Sequence, residues 1–192
     1  MKKILQKEAL ILRGIAKEIP VEQIKSYRIK TIIREMKGAL DGQEDGVAIA
    51  APQIGYSLRI FVISKRIFDI NKTAPTLQSE SRPKASAPKR AQDMVFINPR
   101  IIKASREKKV VEEGCLSVRF LYGKVSRSNK ATIEAYDESG KKVQRGGTGL
   151  LAQIFQHEVD HLNGILFIDK AKYVEEILPK QTKRQKIKNE KR

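Results

Sequence analysis

The chain has 192 residues, 40% of them hydrophobic, enough to bury one core and about the length of a single domain. It has no apolar run of about 18 residues, which excludes a membrane-spanning helix, and its single cysteine, Cys115, excludes an intrachain disulfide and fits a reducing, cytoplasmic setting. A formal net charge of +17 favours polyanionic partners, nucleic acid or a ribonucleoprotein foremost.

Near the N-terminus a basic and apolar stretch is interrupted by Gln6, Lys7 and Glu8 and lacks a small-residue cleavage site, so no signal peptide is expected. Val21 to Leu40 places Ile24, Ile29, Ile32, Ile33, Met36 and Leu40 at helical spacing behind Pro20, and predicts one long amphipathic helix. Turn residues from Asp41 to Gly46 end it. Arg59 to Ser64 and Met94 to Ile102 predict strands. Between them, 71–93 holds three prolines, much Ser, Lys and Ala, and few large apolar groups. Such a segment buries too little surface to offset its ordering entropy, so a flexible insertion is expected there. Strand patterns resume on both sides, which argues against a domain boundary.

Lys130 to Tyr136 and Lys141 to Arg145, joined by Asp137 to Gly140, predict a hairpin. A second helix is expected from near Gly149 to about Asn163, with Gly164 placed to stop it. After Pro179 the chain turns basic, with seven cationic residues from Lys180 to Arg192 against Glu190. The expected organisation is one domain over 1–178 and a basic tail over 179–192.

Both histidines of the chain lie in QHEVDH, Gln156 to His161. On a helix, residues four apart share a face, so His157 and His161 can aim two ring nitrogens at one metal ion, with Glu158 beside them to handle protons. Leu150 and Ile154 continue that stripe. A catalytic site usually takes a third protein ligand and leaves one position open. An extended histidine motif would place that ligand at Phe167, which cannot coordinate. Glu175 or Glu176 could serve after a sharp chain reversal, the arrangement of a zinc endopeptidase on the same helix. The remaining soft donor is Cys115, flanked by glycine and a polar cluster in EEGCLS. A purely structural metal in a basic RNA-binding protein would need a fourth protein ligand, and neither a second cysteine nor a third histidine is available.

EGCLS (Glu113 to Ser117), QHEVDH and GVAIAAPQ (Gly46 to Gln53) resemble, in order and approximate spacing, the three motifs of bacterial peptide deformylases. The resemblance runs from about Glu8 to Lys170, leaving out 71–93. It implies an α+β fold in which small antiparallel sheets pack around a central helix bearing the His-Glu-x-x-His motif. By the same resemblance Cys115, His157 and His161 hold one divalent ion, typically Fe2+, with Zn2+, Ni2+ or Co2+ able to take its place.

The implied reaction removes the N-formyl group from the initiator methionine of nascent polypeptides and releases formate. Glu158 would serve as base and then acid, while the Gln53 side-chain amide and the Leu116 backbone N–H would share the charge developing on oxygen. By residue type alone, Gln53 reads as a surface amide and Glu113 as a solvated charge. The resemblance makes Glu113 a support behind the metal site. It also gives Leu150 and Ile154 a share of the methionine pocket, and pairs the backbone of Val47, Ala48 and Gly114 with an extended peptide. The implied partners are N-formylmethionyl nascent peptides and the ribosome, the latter reached through the basic tail, for a monomer that uses no membrane.

Two positions depart from the family pattern. Ala48 stands where a glycine is usual, which would matter if the site needed positive φ or close approach. Arg119 stands where a proline is common, and adds charge near the peptide's path.

Overall fold

The structure, a computed structural model, describes residues 2–68 and 92–178. The basic tail and nearly all of the 71–93 insertion lie outside the described residues. At the insertion's end, the Asp93 carboxylate accepts a hydrogen bond from the Lys65 backbone N–H at 2.9 Å.

The first long helix, α1, is Tyr27–Asp41. It begins later than its apolar pattern predicts. Ser26 caps it, its hydroxyl accepting from the Ile29 N–H at 3.3 Å, and this satisfies a donor the helix cannot use internally. Val21–Gln23 forms a separate 3-10 turn behind Pro20. The buried face of α1 carries Ile29, Ile32, Ile33, Met36, Ala39 and Leu40.

Five strands form one antiparallel sheet in the order β1-β2-β3-β6-β7. These are β1 (Ala48–Ala50), β2 (Ile60–Ile63), β3 (Met94–Ala104), β6 (Lys130–Tyr136) and β7 (Lys142–Thr148). The predicted strands and hairpin are all present, and β1 joins them ahead of the 3-10 turn Ala51–Ile54. Two strands absent from the sequence reading, β4 (Lys108–Gly114) and β5 (Leu121–Ser128), pair with the short β8 (Val174–Glu176) in a second sheet.

The second helix, α2, spans Leu150–Leu162 with Gly149 and Asn163 at its ends. Gly164 follows at φ +74, where a Cβ would lie 2.5 Å from the Arg13 carbonyl oxygen. The glycine therefore both ends the helix and lets the N-terminal segment pass against it. Alongside, the Ala16 N–H donates to the Leu162 carbonyl at 2.9 Å.

The five-stranded sheet is covered on both faces, which explains why β2 reads Ile-Phe-Val-Ile without polar alternation. Ile49, Ile60, Val62, Val95 and Ile97 pack with α1. Ala48, Ala50, Phe61, Phe96 and Ile133 pack with Ile154 and Phe155 of α2. Phe96 meets Phe155 edge-on at 5.7 Å, a pairing worth about 1 kcal/mol beyond burial. The α2 helix is thus held against the sheet by its apolar side, and its His-Glu-x-x-His stripe is left beside the second sheet. Among the described residues no helix is long and apolar enough to cross a membrane.

Candidate metal centre

Three elements meet at the site. The α2 helix supplies His157, Glu158 and His161; the end of β4 and the turn after it supply Glu113, Gly114, Cys115 and Leu116; β1 and its 3-10 turn supply Ala48 and Gln53. The donor atoms of Cys115, His157 and His161 lie within 4.8 Å of one another. Cys115 Sγ is 3.1 Å from His161 Nε2. His157 turns Nδ1 to the Glu113 carboxylate at 3.0 Å, which leaves its Nε2 for the cluster.

Electrostatics suit a cation. Burial pushes the Cys115 thiol up, but the imidazoles of His161 and His157 outweigh it and bring the thiol down to about 5, so the sulfur is a thiolate at neutral pH. Burial works against the charged form of His157, yet Cys115 and Glu113 raise it well above the usual imidazole range. Glu158 is only 3% exposed and its Oε2 has no partner among the described residues. Burial is the main reason its carboxyl is pushed up to about 7, where it can take and return a proton near neutral pH. One thiolate, two imidazoles and a buried unpartnered carboxyl form a donor set that fits a divalent transition metal with room for water. Glu175 and Glu176 lie exposed on β8, opposite Tyr122 and Leu121 of β5, and take no part in this cluster.

Behind the ligands lies an ionic network that the motifs do not announce. Arg127 of β5, 4% exposed, donates to both oxygens of Glu113 at 2.7 and 2.9 Å. It also donates to Asp160 of α2 at 2.5 Å, and Lys170 reaches the other Asp160 oxygen at 2.6 Å. Burial would raise Glu113, but the Arg127 and His157 hydrogen bonds prevail and hold it near 2. The four charges balance. Glu113 is therefore a buried, fixed anion that orients His157, not a solvated charge.

Gln53 is buried too, at 2% exposure. Its Oε1 accepts from the Ala50 N–H at 2.7 Å, while Nε2 donates to Ser117 Oγ at 3.1 Å and leans on Cys115 Sγ at 3.5 Å. Ser117, absent from the sequence candidates, thus aims the Gln53 amide, and its own N–H donates to Sγ at 3.4 Å. The Leu116 carbonyl accepts from Gln6 Nε2 at 3.1 Å. Its N–H meets no backbone carbonyl among the described residues.

A cavity of about 280 Å³ opens beside the cluster. Val47 and Ala48 line it from β1 and the residue before it, Gly114 from β4, and Leu150 and Ile154 from α2. All five residues expected to receive the peptide therefore share one space. Gly114 has the Tyr122 ring where a Cβ would sit, at 2.8 Å. Of the two reasons a glycine could be needed at position 48, positive φ does not apply. Among the described residues only Asn98 and Phe120 combine a side chain with positive φ, so Ala48 is ordinary strand backbone, paired with Ile63.

An α+β core presenting a Cys-His-His cluster and a buried glutamate in a cleft has the donor set of a metal-dependent hydrolase. The profile of the polypeptide deformylase family matches residues 1–176. Peptide deformylase 2 of Clostridium acetobutylicum is 37% identical over 170 residues, covering 88% of this chain and 94% of that protein. The peptide deformylase of Psychrobacter cryohalolentis is 38% identical over 159 residues, 82% of this chain and 72% of its own length. Among solved structures, a class I type b peptide deformylase from Acinetobacter baumannii with Met-Ala-Ser bound superposes with a TM-score of 0.71 at 31% identity. The match covers 88% of this chain and 99% of that one. The Thermotoga maritima peptide deformylase gives 0.70 at 30% identity, covering 90% and 99%. The chain belongs to the polypeptide deformylase family.

Proposed function

We propose that this chain removes the N-formyl group from the initiator methionine of nascent polypeptides, with Cys115, His157 and His161 as metal ligands and Glu158 as the proton-transfer group. The observation that carries the reading is the Cys-His-His cluster beside a buried carboxyl held near 7. When bound, a divalent ion there acts as a Lewis acid, acidifying water and polarising the formyl carbonyl. Ferrous iron is the expected occupant, with zinc, nickel or cobalt as substitutes; a thiolate with two imidazoles suits several of these.

Glu158 takes one proton of the attacking water and passes it to the departing nitrogen as the C–N bond breaks. The second water proton leaves the formic acid so formed and ends on the freed amine, so the products are formate and a peptide with a protonated amino terminus. The oxygen of the former carbonyl gains negative charge, and the Leu116 N–H and Gln53 amide are the donors proposed for it. The long Gln53 contact to Sγ, 3.5 Å, is the one such an oxygen would replace. Removing one donor of this kind typically costs about 10²–10³-fold in rate. The methionine side chain occupies the space beside Leu150 and Ile154, and the extended backbone lies along Val47, Ala48 and Gly114, as a strand added to an edge. Glu113 holds His157 in place.

The catalytic domain spans 1–178, with 71–93 as a peripheral insertion. The tail, 179–192, is assigned to ribosome contact, supported by its seven cations. The protein is assigned to the cytoplasm as a monomer. The test is anaerobic formate release from formyl-Met-Ala-Ser with metal analysis of the same sample. Turnover proportional to bound metal, lost together with tight binding in Cys115→Ala, supports the reading. Metal retained at full affinity without Cys115 would return the site to an endopeptidase with another third ligand.

A further inference from the structure

At the mouth of the cavity two charged side chains are locked together. Arg119, in the turn between Cys115 and β5, donates through Nη1 to Asp45 Oδ2 at 2.6 Å and through Nη2 to Asp45 Oδ1 at 3.2 Å. Nη2 also reaches Gln43 Oε1 at 2.6 Å. Both Arg119 and Asp45 line the cavity. Their side chains are 29% and 57% exposed, so the pair stands at the solvent edge of the site.

Neither partner is loosely placed. Arg119 donates its backbone N–H to Gln6 Oε1 at 3.3 Å, and the same Gln6 holds the Leu116 carbonyl. Asp45 belongs to the loop after α1. There the Arg66 guanidinium gathers the carbonyls of Leu40, Asp41, Gln43 and Gly46, at 3.1 Å to Asp41. Two anchored segments thus face each other across the opening, joined by a bidentate ion pair. The Arg119 hydrogen bond is the main cause holding the Asp45 carboxyl below its ordinary range, so Asp45 is a carboxylate at neutral pH and one negative charge faces one guanidinium.

We propose that the Arg119–Asp45 pair is a specificity element, a balanced charge pair at the cavity mouth that keeps the site indifferent to acidic or basic residues directly after the formyl-methionine. A peptide leaving the cavity passes both charges, and in a closed pair their fields cancel at its side chains. With one member removed, the other stands alone at the cavity mouth, where its charge is only partly screened by water. The inference rests on the deformylase reading of the cavity.

The experiment compares kcat/KM for formyl-Met-Glu-Ser and formyl-Met-Lys-Ser at low salt, with formyl-Met-Ala-Ser as reference. The metal-loaded full-length enzyme is used as wild type, Asp45→Asn, Arg119→Gln and the double variant. Asp45→Asn leaves Arg119 uncompensated, so the Glu-to-Lys ratio should rise about three- to tenfold over wild type. Arg119→Gln should lower it by a similar factor. The double variant should return to within about twofold of wild type, and added salt should flatten all the shifts. Asp45 is exposed, so Asp45→Asn alone decides the matter if Arg119→Gln does not fold. An unmoved ratio in Asp45→Asn, or movement toward the lysine peptide, overturns the proposal. So do single-variant shifts that the double variant does not cancel. Absence of formate from the reference peptide in wild type would overturn the functional reading and this one together.

Discussion

The two elements that flank the cavity are built on different physics. On the β1 side, Ala48, Ile49, Ala50, Ala51 and Ile54 are all at most 9% exposed, and Gln53 is the one polar side chain among them. That side rests on two apolar layers, α1 beneath one face and α2 beneath the other. On the β4–β5 side the buried positions include Glu113, Ser117, Arg127 and Ser128. That side rests on the Arg127–Glu113–Asp160–Lys170 network. An apolar layer fixes shape, and loss of one of its members leaves only a void. An ionic layer fixes the direction of a ligand, and loss of one of its members strands a charge.

The sharpest way to separate chemistry from shape is Glu158→Ala. Its Oε2 has no protein partner among the described residues, so the change should leave folding intact and metal stoichiometric. Formate release should fall on the order of 10³-fold or more, since base and acid are lost together. Single-turnover assays with metal analysis check this, and near-normal turnover would remove Glu158 from the reaction.

Arg127→Met tests the ionic side. It should cost about 3–5 kcal/mol in urea unfolding, because Glu113 and Asp160 are left buried without their partner. Metal affinity should fall about 10–100-fold as His157 loses its fixed support. The network also sets an acid limit. Glu113 titrates near 2 in the folded protein against an ordinary 4.5, so its contribution is complete above pH 4.5 and is lost as pH falls toward 2. Arg127→Met should shrink that acid-dependent loss. An equal acid slope in both proteins would show that the network does not set it.

Ile49→Ala is the matching test of the apolar side. Ile49 is fully buried, and truncation should cost about 2–5 kcal/mol of stability. Metal affinity and turnover per folded, loaded enzyme should stay within about threefold. If metal affinity fell as far as in Arg127→Met, the division between shape and chemistry would not hold. Ala48→Gly is expected to be the mildest change. Ala48 has strand backbone, so glycine gains nothing in φ and costs roughly 0.5–1 kcal/mol. A large gain in kcat/KM would show that the Ala48 methyl obstructs the peptide.

The same division explains what could be read in the sequence. The β2 and β3 strands, the hairpin and α2 announce themselves through apolar content or helical period, and the structure has them close to where the pattern puts them. The second sheet does not. Inward positions of β4 and β5 hold Glu113 and Arg127 next to Val111 and Val125, so the pattern looks polar until each charge is matched with its partner across the pair. Arg127 is hidden for that reason; Asp160 lies on α2, whose period is plain, but its role depends on Arg127 and Lys170, which reach it only in the folded chain. The apolar pattern places the start of α1 too early because Pro20 and Val21 resemble a helix start, while the hydroxyl that caps the helix belongs to Ser26. At the metal centre, the spacing of His157 and His161 on one helix is visible locally. The approach of Cys115 comes from tertiary packing, which no local pattern contains.

The contact at Gly164 bears on how the protein comes to be folded. The segment from Leu12 to Ala16 lies against the end of α2, with Gly164 under the Arg13 carbonyl and Ala16 bonded to Leu162. These partners are far apart along the chain, and closing so long a loop is slow compared with forming a helix or hairpin. The His161 end of α2 is thus secured by one of the most distant contacts in the molecule. During refolding, sheet and helix signals should appear before tight metal binding does, and Gly164→Ala should widen that interval.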